Sequence, residues 1–332
     1  MDKRFLIAFL FVCFSCSQEP QINKHQGFAL GTTYSIQYAP ISADYDQVQN
    51  GIDSLFYVIN KSLSTYLPES DITKINQGDS TLIVDQHFKN VFRKANTIWY
   101  KTQGYFDPTV GAWVNAYGFG PDKTLNSISY KQNDSLMDIT GWARIQMRRD
   151  GRVVKDNPKI YIDFNAIAKG YTVDIIANYL TKKGSENHLI EIGGELVAKG
   201  TSPKSGEAWK IGIDNPNQTT ERSLQTIVSL TDQALATSGN YRKFRIDSIS
   251  KEKFVHSINP LTGRPARSRV LSASVKAPDC MTADALATAL MVMPFSSGKA
   301  LIEADPKLAA YWIISSGQGV DEVFSSRWKV ID

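Results

Sequence analysis

Two stretches of the chain repeat apolar side chains at the spacing of one helix face. Val48, Ile52, Leu55, Phe56 and Ile59 form the first. Phe88, Val91, Phe92, Ala95, Ile98 and Trp99 form the second, which is expected to stop near Gly104. A third helix is predicted over 166–183, closed by Gly184 and fed by a short strand at 160–164. Runs rich in branched and aromatic residues predict strands at 189–192, 196–199, 209–213, 226–230, 270–277 and 311–315. Thr282 is placed to cap a helix that runs to about Met293 and ends at Pro294. Strands gather in the second half and do not alternate strictly with helices. The expected class is therefore α+β with largely antiparallel sheets, not a doubly wound parallel fold.

The first sixteen residues follow another pattern. Lys3 and Arg4 precede an apolar run over 5–14, and Ser15-Cys16 follows. The run is too short to span a bilayer, which needs about 20 apolar residues, and fits the core of a signal peptide. Ser15-Cys16 resembles the processing site of bacterial lipoproteins, although Cys13 stands where Leu is usual. The expectation is an exported protein lipid-anchored at Cys16, at the periplasmic face of the inner membrane. Residues 17–26 are polar and read as a tether. No Pro/Gly-rich linker divides 27–332, so one folded unit is expected there.

Composition narrows the class further. With 42% apolar and 21% charged residues the chain is ordinary for a globular protein, and disorder is excluded as a dominant state. A formal net charge of +4 over 332 residues makes no case for nucleic-acid binding. Three cysteines are too few for a disulfide scaffold, and Cys280 alone would remain unlipidated in the mature protein.

Several segments can carry chemistry. Asp284 and Thr288 are four apart on a predicted helix, so their oxygens share a face. A carboxylate and a hydroxyl suit a hard cation such as Mg²⁺ or Ca²⁺; an Asp in a first turn also simply complements the helix dipole. Lys169 lies in the first turn of the helix behind Asp163, which makes an anion site or an exposed lysine. Ile192-Gly-Gly-Glu195 offers either a close approach to a ligand or a turn. Phe106-Asp-Pro-Thr-Val-Gly111 projects Asp107 as a ligand or as a cap. His256, ahead of a Pro/Gly turn, can act as acid or base or be structural. No nucleophile elbow, P-loop, Gly-x-Gly-x-x-Gly or His-Glu-x-x-His is present.

Taken in chain order, the segments form a series. They are Leu30-Gly-Thr-Thr-Tyr-Ser-Ile36, Leu63-Ser-Thr-Tyr66 with Ser70 and Asn76, Phe106 to Gly111, and Asp163 to Gly170 with Tyr171 and Asp174. Then follow Glu191 to Glu195, Ala236 to Arg242, His256 to Gly263 and Ala283 to Ala289. This series resembles the ApbE family of FAD:protein FMN transferases over nearly the whole mature chain. The resemblance implies an α+β fold with a flavin cleft between two lobes. It implies a Mg²⁺-dependent reaction that splits the pyrophosphate of FAD, joins FMN by a phosphoester to a threonine or serine of a target protein, and releases AMP. Targets of the family are membrane redox-complex subunits and related exported flavoproteins.

Carried over by position, Asp284, Thr288 and the carbonyl of Ala166 match metal ligands. Lys169 matches a lysine near the FAD phosphates. Leu30, Tyr66, Asp107, His256 and Ile258 match positions that line the flavin nucleotide, and His256 matches a candidate proton acceptor. Two positions depart from the family pattern: Asn259 replaces an Asp that could orient His256, and Asn165-Ala166 replaces Gly-Gly. A backbone ligand survives the second change, because every residue has a carbonyl. The same site with water as acceptor would be an FAD pyrophosphatase, and without chemistry a flavin-binding lipoprotein.

Overall fold

The computed structural model describes residues 21–121, 130–216, 223–240, 244–246, 253–255, 257–266, 268–317 and 319–330. The expected signal peptide lies outside them. The chain starts with the hairpin β1 (Asn23–Ala29) and β2 (Thr32–Tyr38), then α1 (Tyr45–Leu63), α2 (Asp71–Asn76) and α3 (Gln86–Lys101). A 3-10 turn leads into α4 (Gly111–Ala116), followed by α5 (Tyr130–Met137) and the pair β3 (Ile145–Met147) and β4 (Val153–Lys155). Next come α6 (Ala168–Lys182), β5 (His188–Ile192), β6 (Glu195–Lys199), the pair β7 (Trp209–Asp214) and β8 (Leu224–Leu230), and β9 (Gln233–Gly239). Two short pairs, β10 (Phe244–Ile246) with β11 (Lys253–Val255) and β12 (Ile258–Asn259) with β13 (Arg264–Pro265), follow. β14 (Val270–Ala277), α7 (Cys280–Val292), α8 (Phe295–Glu303), β15 (Ala309–Ser316) and β16 (Gly319–Phe324) complete the described fold.

Eight strands make one antiparallel sheet in the order β1-β2-β5-β6-β9-β14-β15-β16. The α+β expectation is met. Side chains alternate between the two faces of a strand, and both faces are covered. Ala310, Trp312 and Ile314 of β15 join the main core under the helices. Ala309, Tyr311 and Ile313 join a second cluster with Trp209, Val228 and Trp328 beneath the β7–β8 pair. Burial on both faces is why 309–314 is apolar without interruption. α7 is buried almost all round and packs between the sheet and α6, as a helix lacking a polar stripe must.

Three expectations need correction. Residues 160–164 are not a strand. The Ile162 amide donates to Asn76 Oδ1 and its carbonyl accepts from Asn76 Nδ2, both at 2.8 Å, while the Asp163 amide donates to the Pro108 carbonyl at 2.7 Å. Side-chain and loop groups thus satisfy a backbone that needs no neighbouring strand. Asp279, not Thr282, caps α7: its Oδ1 accepts from the Thr282 amide at 2.8 Å, and the Thr282 hydroxyl accepts from Lys94 Nζ instead. Residues 23–26, expected in the tether, already belong to β1, where His25 is buried and stacks on Tyr45 at 4.0 Å.

His188 at the head of β5 is fully buried, with Nδ1 3.2 Å from Ser185 Oγ. Burial drives its pKa down to about 4, Lys199 acts the same way and Asp232 opposes. An unfolded histidine titrates near 6.5. Between those values the unfolded chain binds a proton that the native chain does not, so this contribution to stability is complete above pH 6.5 and is lost as pH falls. The loss amounts to about 3 kcal/mol by pH 4. His188→Gln is expected to remove this part of the pH dependence, read as urea midpoints of the two proteins at pH 7 and pH 4.

Candidate active site

The site begins where α6 touches α7. Gly170 sits so close to α7 that a Cβ there would lie 2.4 Å from the Cys280 carbonyl oxygen and 2.8 Å from Asp284 Cβ. Its amide, one of the first-turn N–H groups that α6 cannot satisfy itself, donates to Asp284 Oδ2 at 3.0 Å. One turn later Asp174 accepts from the amides of Cys280 and Met281 at 2.7 and 2.9 Å. A carboxylate at a helix start meets donors that the helix cannot satisfy. α6 therefore supplies the anion that holds the head of α7 and fixes Asp284 against the first turn of α6. Burial still pushes the Asp174 carboxyl up to about 7.

Lys169 Nζ lies 3.2 Å from Glu195 Oε1 and 3.9 Å from Asp284 Oδ1. Glu195 opens β6, directly after Gly193 (φ 64°) and Gly194 (φ 103°), a turn that only glycines adopt without strain. Asp284 is 2% and Glu195 4% exposed. Burial works against the charge on Lys169, but Asp284 and Glu195 outweigh it and raise its pKa. Burial pushes both carboxyls upward against the pull of Lys169. One ammonium thus faces two buried carboxylates, and Glu195 Oε2 has no hydrogen-bond partner. On α7, one turn beyond Asp284, Thr288 Oγ1 is 3.3 Å from Ser238 Oγ of β9. Oxygen donors, two acids sharing one ammonium and an orphaned carboxylate oxygen are what a hard divalent cation would draw on. Among the described residues no trio of His, Cys, Asp or Glu converges, so a nitrogen or thiolate set does not compete there. Cys280, free and buried beside these acids, has its thiol pushed well up by burial.

The model of the ApbE family matches residues 30–312, from the β1–β2 turn to β15. The chain belongs to the ApbE family. ApbE-family relatives cover nearly all of it. It is 36% identical over 329 residues to the FAD:protein FMN transferase of Vibrio cholerae, covering 97% of this chain and 96% of the relative. The FAD:protein FMN transferase of Haemophilus influenzae is 32% identical over 328 residues, covering 95% and 93%. The solved flavin transferase ApbE from Vibrio cholerae superposes with a TM-score of 0.82 at 35% identity, over 92% of this chain and 97% of that one. The ApbE protein of Thermotoga maritima gives 0.80 at 27% identity, over 92% and 97%.

Within this ApbE fold the expected residues fall into two groups. Lys169 and Asp284 meet at the α6–α7 contact; Thr288 lies one turn beyond Asp284 on α7, and Ala166 lies just ahead of α6. Leu30, Tyr66, Asp107 and Ile258 come from four other segments. Leu30 holds a positive φ of 51° in the β1–β2 turn. Tyr66 is 62% exposed and offers a ring face; burial of its hydroxyl and then nearby Asp163 raise its pKa. Asp107 is buried, and its oxygens accept from the Thr109 amide and hydroxyl and the Trp142 amide at 2.8, 2.5 and 3.0 Å. Its carboxylate caps the turn that carries it. Ile258 is 6% exposed in β12. Asn259 Oδ1 accepts from the Leu261 amide at 2.9 Å and so closes the β12–β13 turn, a local role open to Asp or Asn. That turn lies against Trp113, which a Cβ on Gly263 (φ 63°) would strike at 2.1 Å. His256 lies outside the described residues.

Sequence reasoning assigned no role to Gly170, Asp174, Glu195 or Ser238. Glu195 carried a signal: a charged residue entering an apolar strand behind two glycines. Gly170 and Ser238 stood in segments of the series above, but the close helix approach at one and the hydroxyl partner across the sheet at the other are tertiary facts that no local pattern shows.

Proposed function

We propose that the chain is a Mg²⁺-dependent FAD:protein FMN transferase acting on an exported acceptor protein. The observation that carries the reading is the buried cluster of Lys169, Glu195 and Asp284 with Thr288 one turn away, in a chain whose relatives bear that activity. Asp284, Thr288 and the Ala166 carbonyl would hold the cation. When bound it neutralises charge on the diphosphate, the demand that dominates phosphoryl transfer. Lys169 lies beside the FAD phosphates, its ammonium kept charged and aimed by Glu195. The exposed ring of Tyr66 gives the flavin nucleotide a face to stack on.

The acceptor threonine or serine hydroxyl attacks the phosphorus of the FMN half. A new oxygen–phosphorus bond forms, the pyrophosphate bond breaks, and AMP leaves. His256 takes the hydroxyl proton. The decisive assay incubates the protein with FAD, Mg²⁺ and a candidate subunit of a membrane redox complex, and weighs the acceptor by mass spectrometry. An FMN-sized mass gain with AMP release is expected. FMN free in solution with no gain would make the chain an FAD pyrophosphatase and overturn the transferase reading.

We also propose lipid anchoring at Cys16 on the periplasmic face of the inner membrane, supported by the charged, apolar and Ser-Cys pattern of 3–16. Radiolabelled palmitate should enter the protein in growing cells, and Cys16→Ala should abolish the label.

A further inference from the structure

Lys276 stands on a central strand of the sheet and is 6% exposed. Its neighbours Val275 and Ala277 face the helices, so Lys276 faces the other way, away from Asp284. It is registered between Leu235 of β9 and Ala309 of β15, both members of the second apolar cluster. A lysine in such surroundings ordinarily has a carboxylate partner. Lys276 Nζ instead reaches the Ser229 carbonyl at 3.3 Å and lies 4.6 Å from the centre of the Trp328 ring. Among the described residues no carboxylate pairs with it. Burial pushes its pKa down to about 8, and the charge of Lys329 pushes the same way. An ammonium has three donors; one is used here.

A cavity of about 240 Å³ adjoins this ammonium, lined by Lys276, Lys307, Arg327 and Lys329 with Ser229 and Gln233 among its polar walls. No Asp or Glu lines it. Arg327 is committed to the frame: its guanidinium donates to the carbonyls of Leu308, Ile302, Glu303 and Asp305 and pairs with Glu303 at 3.6 Å. The nearby carboxylate of Asp305 pairs with Lys101. Three lysines therefore converge on one small cavity with no acid to balance them, and one of them is inside the fold.

We propose that this cavity binds a phosphate-bearing anion on the face of the sheet opposite the catalytic cluster, with Lys276 as the buried ligand and Lys307 and Lys329 at the rim. Phosphate supplies the acceptors that the Lys276 ammonium lacks, and charge-assisted bonds of this type are the strong ones. Its source is either free phosphate or the headgroup of an anionic phospholipid. The inference does not depend on the transferase reading, since none of these residues belongs to that site.

Acetic anhydride labelling read by mass spectrometry tests it, because a lysine with a depressed pKa reacts readily unless covered. At a phosphate concentration about ten times Kd, acetylation of Lys276 should slow about tenfold, while chloride at equal ionic strength leaves it unchanged. Protection by phosphate but not by phosphatidylglycerol vesicles assigns the free anion. Protection by those vesicles, and not by phosphatidylcholine alone, assigns the headgroup. A second readout guards against a Lys276 that resists labelling in every buffer: phosphate or phosphatidylglycerol should raise the melting temperature of the natural protein and not that of Lys276→Met or Lys329→Ala. FMN transfer should be the same in Lys276→Met. Equal labelling in all buffers with no thermal shift overturns the proposal.

Discussion

Asp284→Ala should cut FMN transfer to the acceptor protein by about a hundred- to a thousandfold. Removing a preorganised electrostatic group from a phosphoryl-transfer site has consequences of that order. The fold, by contrast, should survive. Asp284 is one of two carboxylates facing a single ammonium, and its loss leaves Lys169 paired one-to-one with Glu195 at 3.2 Å. Losing the Gly170 amide's acceptor should cost about 1 to 3 kcal/mol, so the melting temperature is expected to fall only modestly while transfer falls that far. A variant that still modifies its acceptor at the natural rate would remove Asp284 from the proposed metal site.

Gly170→Ala should be among the most damaging single-methyl additions in the chain. The new Cβ would meet the Cys280 carbonyl oxygen at 2.4 Å and its carbon at 2.7 Å. Both are backbone atoms at the start of α7, so no side chain can rotate away. Overpacking of this kind costs about 3 kcal/mol. Relief requires α7 to shift from α6, which would carry Asp284 off the Gly170 amide and lower transfer as well. Urea midpoints measure the first effect and the acceptor assay the second. Gly317→Ala is the control: nothing lies within 4 Å of its Cβ position, and a change within about 0.5 kcal/mol is expected.

These two residues also mark how far the sequence can be read. Asp284 and Thr288 share a helix face by spacing alone, and the periodicity of 48–59 and 88–99 foretold α1 and α3. Strand 270–277 was legible to the residue. The polar β1 was not, because His25, stacked on Tyr45 with Tyr38 beside it, is its single fully buried residue. The 160–164 segment misled for a related reason: its alternating apolar residues are buried like a strand's, but Asn76 takes the place of a neighbour. The meeting of Glu195 with Lys169 depends on how a strand start falls against a helix start, which no local pattern encodes. The cap of α7 went to Asp279 because its carboxylate also receives Lys94, a contact from a helix far earlier in the chain.

The early start of β1 has a geographical consequence. With Cys16 acylated, only residues 17–22 separate the lipid from Asn23, the first residue of the sheet. Fully stretched, that leash measures about 25 Å. The enzyme would work within a shallow layer above the bilayer, scanning sideways and not outward. Its clientele would be limited to proteins that present their hydroxyl in that layer, so proximity would select acceptors before any recognition of sequence began.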